Sequence, residues 1–142
     1  MRSALLIVAA AALAAGPATS PAATVPKQEH ITLTLVKRSG TKVTHTGRAT
    51  GPVGGRVRST SRLQRRVVWR GKMIIATKSG TLRLTIDARA QSLARRSPFI
   101  GIATITGGTK RYAHARGFAP FKAVVNRSTW AVTIDTSGPF NY

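Results

Sequence analysis

From Glu29 onward the side chains repeat with a period of two and glycines interrupt the repeats, which leaves few choices of fold. Ile31, Leu33 and Leu35 alternate with Thr32 and Thr34, as in a half-buried strand, and Ser39-Gly40 makes a turn. A second strand follows over 42–50, with Val43, His45, Gly47 and Ala49 on one side and Thr44, Thr46, Arg48 and Thr50 on the other. After the breaker-rich loop Gly51, Pro52, Gly54 and Gly55 come a polar strand over 56–63 and a long one over 67–77 carrying Trp69, Met73 and Ile75 on one side. The clearest alternation is 81–90, where Leu82, Leu84, Ile86 and Ala88 oppose Arg83, Thr85, Asp87 and Arg89. Segments 99–106, 116–126 and 129–136 complete a set of eight, the last with Trp130, Val132 and Ile134 on one face. No window holds helical periodicity over three turns, so a crossover helix and the parallel sheet it would build are not expected.

Eight antiparallel strands with short turns form either a sandwich or an up-and-down barrel, and closure into a barrel removes the edges along which sheets aggregate. The expected fold is therefore all-β, an eight-stranded antiparallel up-and-down barrel. Gly47, Ala49, Gly101 and Ala103 either relieve crowding in its interior or mark bends and bulges. The alternation separates an apolar from a polar face in each strand without saying which lines the barrel.

The first residues read differently. Met1, Arg2 and Ser3 precede an apolar run from Ala4 to Ala15, and small residues and breakers follow from Gly16 to Ala23. The run stops well short of the about 20 residues a membrane-spanning helix needs. Residues 1–23 are expected to be a cleaved secretory signal, 24–28 a short flexible lead, and 29–142 one barrel domain of a secreted protein. No cysteine is present, so no disulfide staples the fold.

Charge is the strongest compositional feature. Against 23 Lys and Arg stand 3 acids, Glu29, Asp87 and Asp135, and the formal charge of +20 falls only to +19 once Arg2 is removed. Such a field attracts polyanions, for example an anionic cell-wall polymer, an anionic lipid surface or nucleic acid. Along the chain the cations are dispersed, apart from the group Arg62, Arg65, Arg66 and Arg70, the candidate polyanion contacts. The bland counterpart is that charge keeps an exported barrel soluble.

Three acids leave little for paired-carboxylate chemistry, and Asp87 and Asp135 are expected to be surface partners of arginines. His30, His45 and His114 are scattered and lack acid or cysteine companions, so no metal site and no cofactor are expected. No phosphate loop, nucleophile elbow or Ser-His-Asp pattern occurs. Trp69, Tyr112, His114, Phe118 and Trp130 are the candidates for contact with a ligand, although large aromatics in a small domain ordinarily serve its core.

The run Gly107-Gly108-Thr109-Lys110-Arg111-Tyr112-Ala113-His114-Ala115-Arg116-Gly117-Phe118-Ala119 resembles the glycine-rich signature of plant dirigent proteins and, more loosely, of allene oxide cyclases. In both, a double glycine and Thr lead to an aromatic, a small residue, and a glycine that opens the next strand. The resemblance implies a calycin-like barrel that binds or orients a small apolar or phenolic molecule, that leans away from catalysis, and that associates through barrel faces into a homo-oligomer. Two departures matter. Lys110 stands where these families usually carry glycine, so the backbone there is expected to differ. Active members also resemble one another in acids that face the cavity from early strands, and the stretch 31–37 has none, so no catalytic residue is carried over. A basic polyanion or cell-surface binding protein is the alternative expectation, and an isomerase of cyclase type the second.

Overall fold

The structure is a computed structural model that describes residues 27–138; the expected signal over 1–23, residues 24–26 of the lead, and residues 139–142 lie outside the described residues. Eight antiparallel strands close in chain order: β1 (Lys27–Ser39), β2 (Lys42–Thr50), β3 (Gly55–Gln64), β4 (Val68–Thr77), β5 (Gly80–Ala90), β6 (Arg96–Gly108), β7 (Phe118–Asn126) and β8 (Val132–Gly138), with β8 pairing back to β1. A single 3-10 turn, Lys110–Tyr112, interrupts the β pattern. The expected fold class is thus the observed one. Among the described residues no helix is long and apolar enough to cross a membrane.

The apolar faces line the interior. Leu82, Leu84 and Ile86 of β5 meet Met73 and Ile75 of β4, Ile31 and Leu33 of β1, and Val132 and Ile134 of β8 in one buried cluster. Trp69 stands edge-on to Phe99 and Phe121, with ring centroids 6.1 and 6.4 Å away. Edge-to-face pairs of this kind add to what burial contributes. The two readings of the small inward residues are decided by the backbone. A Cβ on Gly47 would fall on the carbonyl of Thr32, and one on Gly101 on the carbonyl of Asp87, so these glycines let neighbouring strands bend into close approach.

The strand ends differ from sequence expectation in several places, among them β1, β6 and β8. β1 begins at Lys27, two residues ahead of the reading, and β6 begins at Arg96, whose segment through Pro98 pairs with Val124–Asn126. β8 begins at Val132, which takes Trp130 out of the strand where the alternation had placed it. The cause is local: the Asn126 carboxamide accepts the Ser128 amide at 3.0 Å, the Trp130 amide reaches the Asn126 carbonyl at 2.6 Å, and Trp130 turns the chain at φ 61°.

The upper end of the barrel carries the β2–β3, β4–β5 and β6–β7 connections. The segment after β6 is pinned there: Thr109 N–H donates to the Thr81 carbonyl at 2.8 Å, and Arg111 N–H donates to the Ser79 carbonyl at 3.1 Å. This presses Tyr112 and Ala115 into the core, 3% and 4% exposed. Lys110 takes φ 52°, the left-handed conformation a glycine would adopt freely. The lower end carries the β1–β2, β3–β4, β5–β6 and β7–β8 connections.

Candidate functional site

The barrel interior is nearly full. The upper cavity, lined by Glu29, Val53, Met73, Ile75, Phe121 and Thr136 among others, has about 30 Å³ free, and the lower one, between Trp69, Trp130, His45 and Leu63, about 20 Å³. Small-molecule sites usually offer several hundred. Glu29, two residues before the acid-free stretch 31–37, faces this upper cavity at 6% exposure. Its Oε2 accepts the Val53 amide at 3.1 Å, while Oε1 has no hydrogen-bond partner among the described residues, nor does Thr136 Oγ1 directly across the ladder. Burial pushes the Glu29 carboxyl above its ordinary range, only partly offset by the Val53 hydrogen bond. The alternation carried this signal, since Glu29 is in phase with Ile31 and Leu33.

The aromatic candidates do not converge. Trp69 is core, and Tyr112 is buried at the upper end. His114 is exposed beside Tyr112, and Phe118 is 62% exposed on the outside of β7. Trp130, half-buried at the lower end, shares the small lower cavity with Trp69 and no other member of the set. Position along the chain could not show this, because it gives no height on the barrel.

Of the arginine candidates, Arg62 and Arg70 stand together with cations from neighbouring strands, while Arg65 and Arg66 lie apart in the β3–β4 turn at the lower end. Register puts Lys42 of β2 opposite Arg62 of β3, and Arg62 opposite Arg70 of β4, so three cations stand in one row. Arg48 lies opposite Arg56, and Arg58 is separated from Arg83 only by Ile74 in its row. Lys72 and Arg89 extend the same outer wall of β2–β5. One acid interrupts it, Asp87, held by Arg70 at 2.9 Å as the arginine expectation required. Like charges directly opposite in a ladder destabilise it by a few tenths of a kcal/mol to about 1 kcal/mol each, before salt screening.

The other outer wall, formed by β6, β7, β8 and β1, is built differently. Ile100 and Ile102 are 49% and 51% exposed, and Pro120 and Phe118 adjoin them on β7. Lys122 faces Asp135 across the ladder, and Asp135 pairs with His30 rather than with an arginine. Here no cation stands opposite another cation in the ladders.

Strain gathers at the lower end. Among the described residues four other than glycine have positive φ, and three are there: Arg65 at 48°, Arg66 at 62° and Trp130 at 61°. Each costs about 1–2 kcal/mol relative to a right-handed conformation. Arg65 and Arg66 form the tip of the β3–β4 turn, closed by Val67 N–H donating to the Gln64 carbonyl at 3.0 Å; two positive φ angles make it a type I′ turn, which favours Asn-Gly. Arg127 holds the turn from outside, Nη2 donating to the Arg66 carbonyl at 2.8 Å while Nε donates to Ser97 Oγ. Burial and the nearby Arg66 charge both lower the Arg127 pKa. His45 fixes Trp130 from inside by donating from Nε2 to its carbonyl at 2.8 Å, and burial lowers the His45 pKa against a smaller opposing effect of that bond.

Among the described residues no group of three His, Asp or Glu side chains is placed to hold a metal ion. Comparison of the chain with protein-family models, with curated proteins and with solved structures gave no match, so its chemistry is read from its own walls and cavities.

Proposed function

We propose that this protein, once exported, binds a linear anionic polymer along the outer wall of β2–β5, with recognition of phosphate or carboxylate charge and no catalytic step. The observation that carries the reading is the register that sets Lys42, Arg62 and Arg70 side by side and Arg48 against Arg56 with no acid to offset them apart from Asp87. A wall that only had to be soluble gains nothing from placing like charges opposite one another, whereas a polyanion laid across the rows relieves the repulsion and releases its own counterions.

The partner is better described as a phosphodiester polymer of the cell surface than as nucleic acid. Single-stranded nucleic acid is held by aromatic side chains that stack on bases as well as by a basic groove. The β2–β5 wall presents threonine, arginine and lysine, with Val68, Ile74 and Ala76 as its apolar members and no aromatic ring. The small apolar or phenolic ligand implied by the dirigent resemblance would require the interior to open well beyond its present free space.

The test is a calorimetric titration of the mature protein with poly(glycerol phosphate) and with neutral dextran at rising salt. Binding of the phosphate polymer alone, weakening by at least about a thousandfold from roughly 50 to 200 mM salt, is the expected result for six or more phosphate contacts. Binding that Arg56→Gln, Arg58→Gln and Arg62→Gln together leave unchanged would overturn the assignment of the wall. Tighter binding of a mixed single-stranded nucleic acid would overturn the choice of partner.

A further inference from the structure

The lower end of the barrel holds a pocket of about 230 Å³ between the β1–β2 and β3–β4 turns, outside the basic wall. Arg38, Arg65 and Arg66 line it, and Val43 and Leu63 form its floor. All three acids of the chain lie elsewhere or are engaged: Glu29 is at the upper end, Asp87 is with Arg70, and Asp135 is with His30. These three guanidinium groups therefore meet no side-chain carboxylate. Two of them belong to residues in the left-handed region, where Asn-Gly would make the same turn without strain. The third is aimed by stacking, its Cζ 4.2 Å from the centre of the Trp130 ring, and Trp130 is itself left-handed and pinned by His45. Arg127 and His45 hold this strain in place; strained Arg65 and Arg66 line the pocket themselves, and strained Trp130 acts on it through Arg38, which marks a site whose geometry serves binding rather than folding.

We propose that this pocket binds a phosphate monoester. Planar guanidinium forks match phosphate oxygens two at a time, and three of them exceed the charge of a phosphate dianion. The apolar floor leaves room for a small organic group on the ester oxygen. The site does not rest on the polymer reading, since the wall and the pocket use different residues apart from their common charge.

The experiment is calorimetric titration of the mature protein with phenyl phosphate and with inorganic phosphate at low salt, in the parent and two variants. Arg65→Asn with Arg66→Gly restores the preferred turn, so its thermal midpoint is expected to rise while its affinity for phenyl phosphate falls by about tenfold or more. A loss of binding in a more stable protein cannot come from misfolding. Arg56→Gln with Arg58→Gln, on the wall, is expected to change phenyl phosphate affinity by no more than about twofold. In the parent, phenyl phosphate is expected to bind about tenfold tighter than inorganic phosphate through contact with Val43 and Leu63. Unchanged binding in the turn variant, or an equal loss in the wall variant, would overturn the site. Equal affinity for the two phosphates would overturn the ester assignment and make free phosphate the ligand. Failure of polymer binding alongside intact phenyl phosphate binding would sink the wall reading and leave the pocket standing.

Discussion

The wall of β2–β5 and the wall of β6–β8 with β1 are made from the same alternating strands around the same apolar interior, yet outside they have little in common. One stacks cation opposite cation, with Lys42, Arg62 and Arg70 in a row. The other sets Lys122 against Asp135 and exposes Ile100, Ile102 and Phe118. Inward positions answer to packing, so both walls satisfy one rule there. Outward positions are free of that rule, and the proposed polymer binding rests on their difference.

The sharpest test of the common interior is Trp69→Ala. Trp69 meets Phe99 and Phe121 beneath both walls, and its loss is expected to lower stability by about 3–5 kcal/mol in urea unfolding. The surviving folded fraction should bind the polymer with unchanged salt dependence; a changed dependence would mean that the walls are not independent of the core beneath them.

Next in size is the contrast between the walls themselves. Removing Arg56, Arg58 and Arg62 as glutamines is expected to reduce the slope of log affinity against log salt by roughly one for each arginine, or somewhat less. Ile100→Ser with Ile102→Ser, on the other wall, is expected to leave that slope unaltered. Equal effects from both sets would erase the distinction.

A smaller effect separates the walls without any ligand. Arg62→Thr relieves two like-charge neighbours and is expected to stabilise the barrel by about 0.5 kcal/mol at low salt, a gain that fades as salt rises. Lys122→Thr removes an opposite-charge neighbour and should act with the reverse sign, by a similar or smaller amount. Urea titrations at two salt concentrations read both.

The smallest expected effect concerns Glu29, on the inner face of β1 in the second wall. Burial raises the Glu29 pKa in the folded state, so the fold holds that proton more tightly than the unfolded chain does. Stability then falls as pH rises from the unfolded carboxyl range through the raised folded value, and the loss is complete above it. Glu29→Gln is expected to raise stability at neutral pH and to flatten this part of the profile. His45 acts in the opposite sense, because its lowered folded pKa makes stability fall as pH drops from the ordinary histidine range toward that value. A Glu29→Gln profile identical to that of the parent would show that Glu29 titrates as it does in the unfolded chain.

Much of the barrel could be read from residue order. The phase of Ile31 and Leu33, of Leu82 to Ala88, and of Val132 and Ile134 is a local property that the pleat imposes at every second residue, and glycines at the turns mark where each run stops. Glu29 was legible in the same phase, as an inward acid two residues before the acid-free stretch 31–37. The strand start at Thr129 was misread because the Asn126 turn overrides the alternation through hydrogen bonds to backbone amides.

By itself, the sequence determined the strand content, the division of each strand into an apolar and a polar face, and the total charge, since each depends only on which residues occur and in what period. Tertiary structure alone decided that Lys42, Arg62 and Arg70 share a row, that Arg65 and Arg66 take left-handed backbones, and that Arg38 stacks on Trp130. The reason is physical: adjacency across a sheet is fixed by strand register and by closure of the whole ring, and these are set jointly by all eight strands rather than by any local stretch.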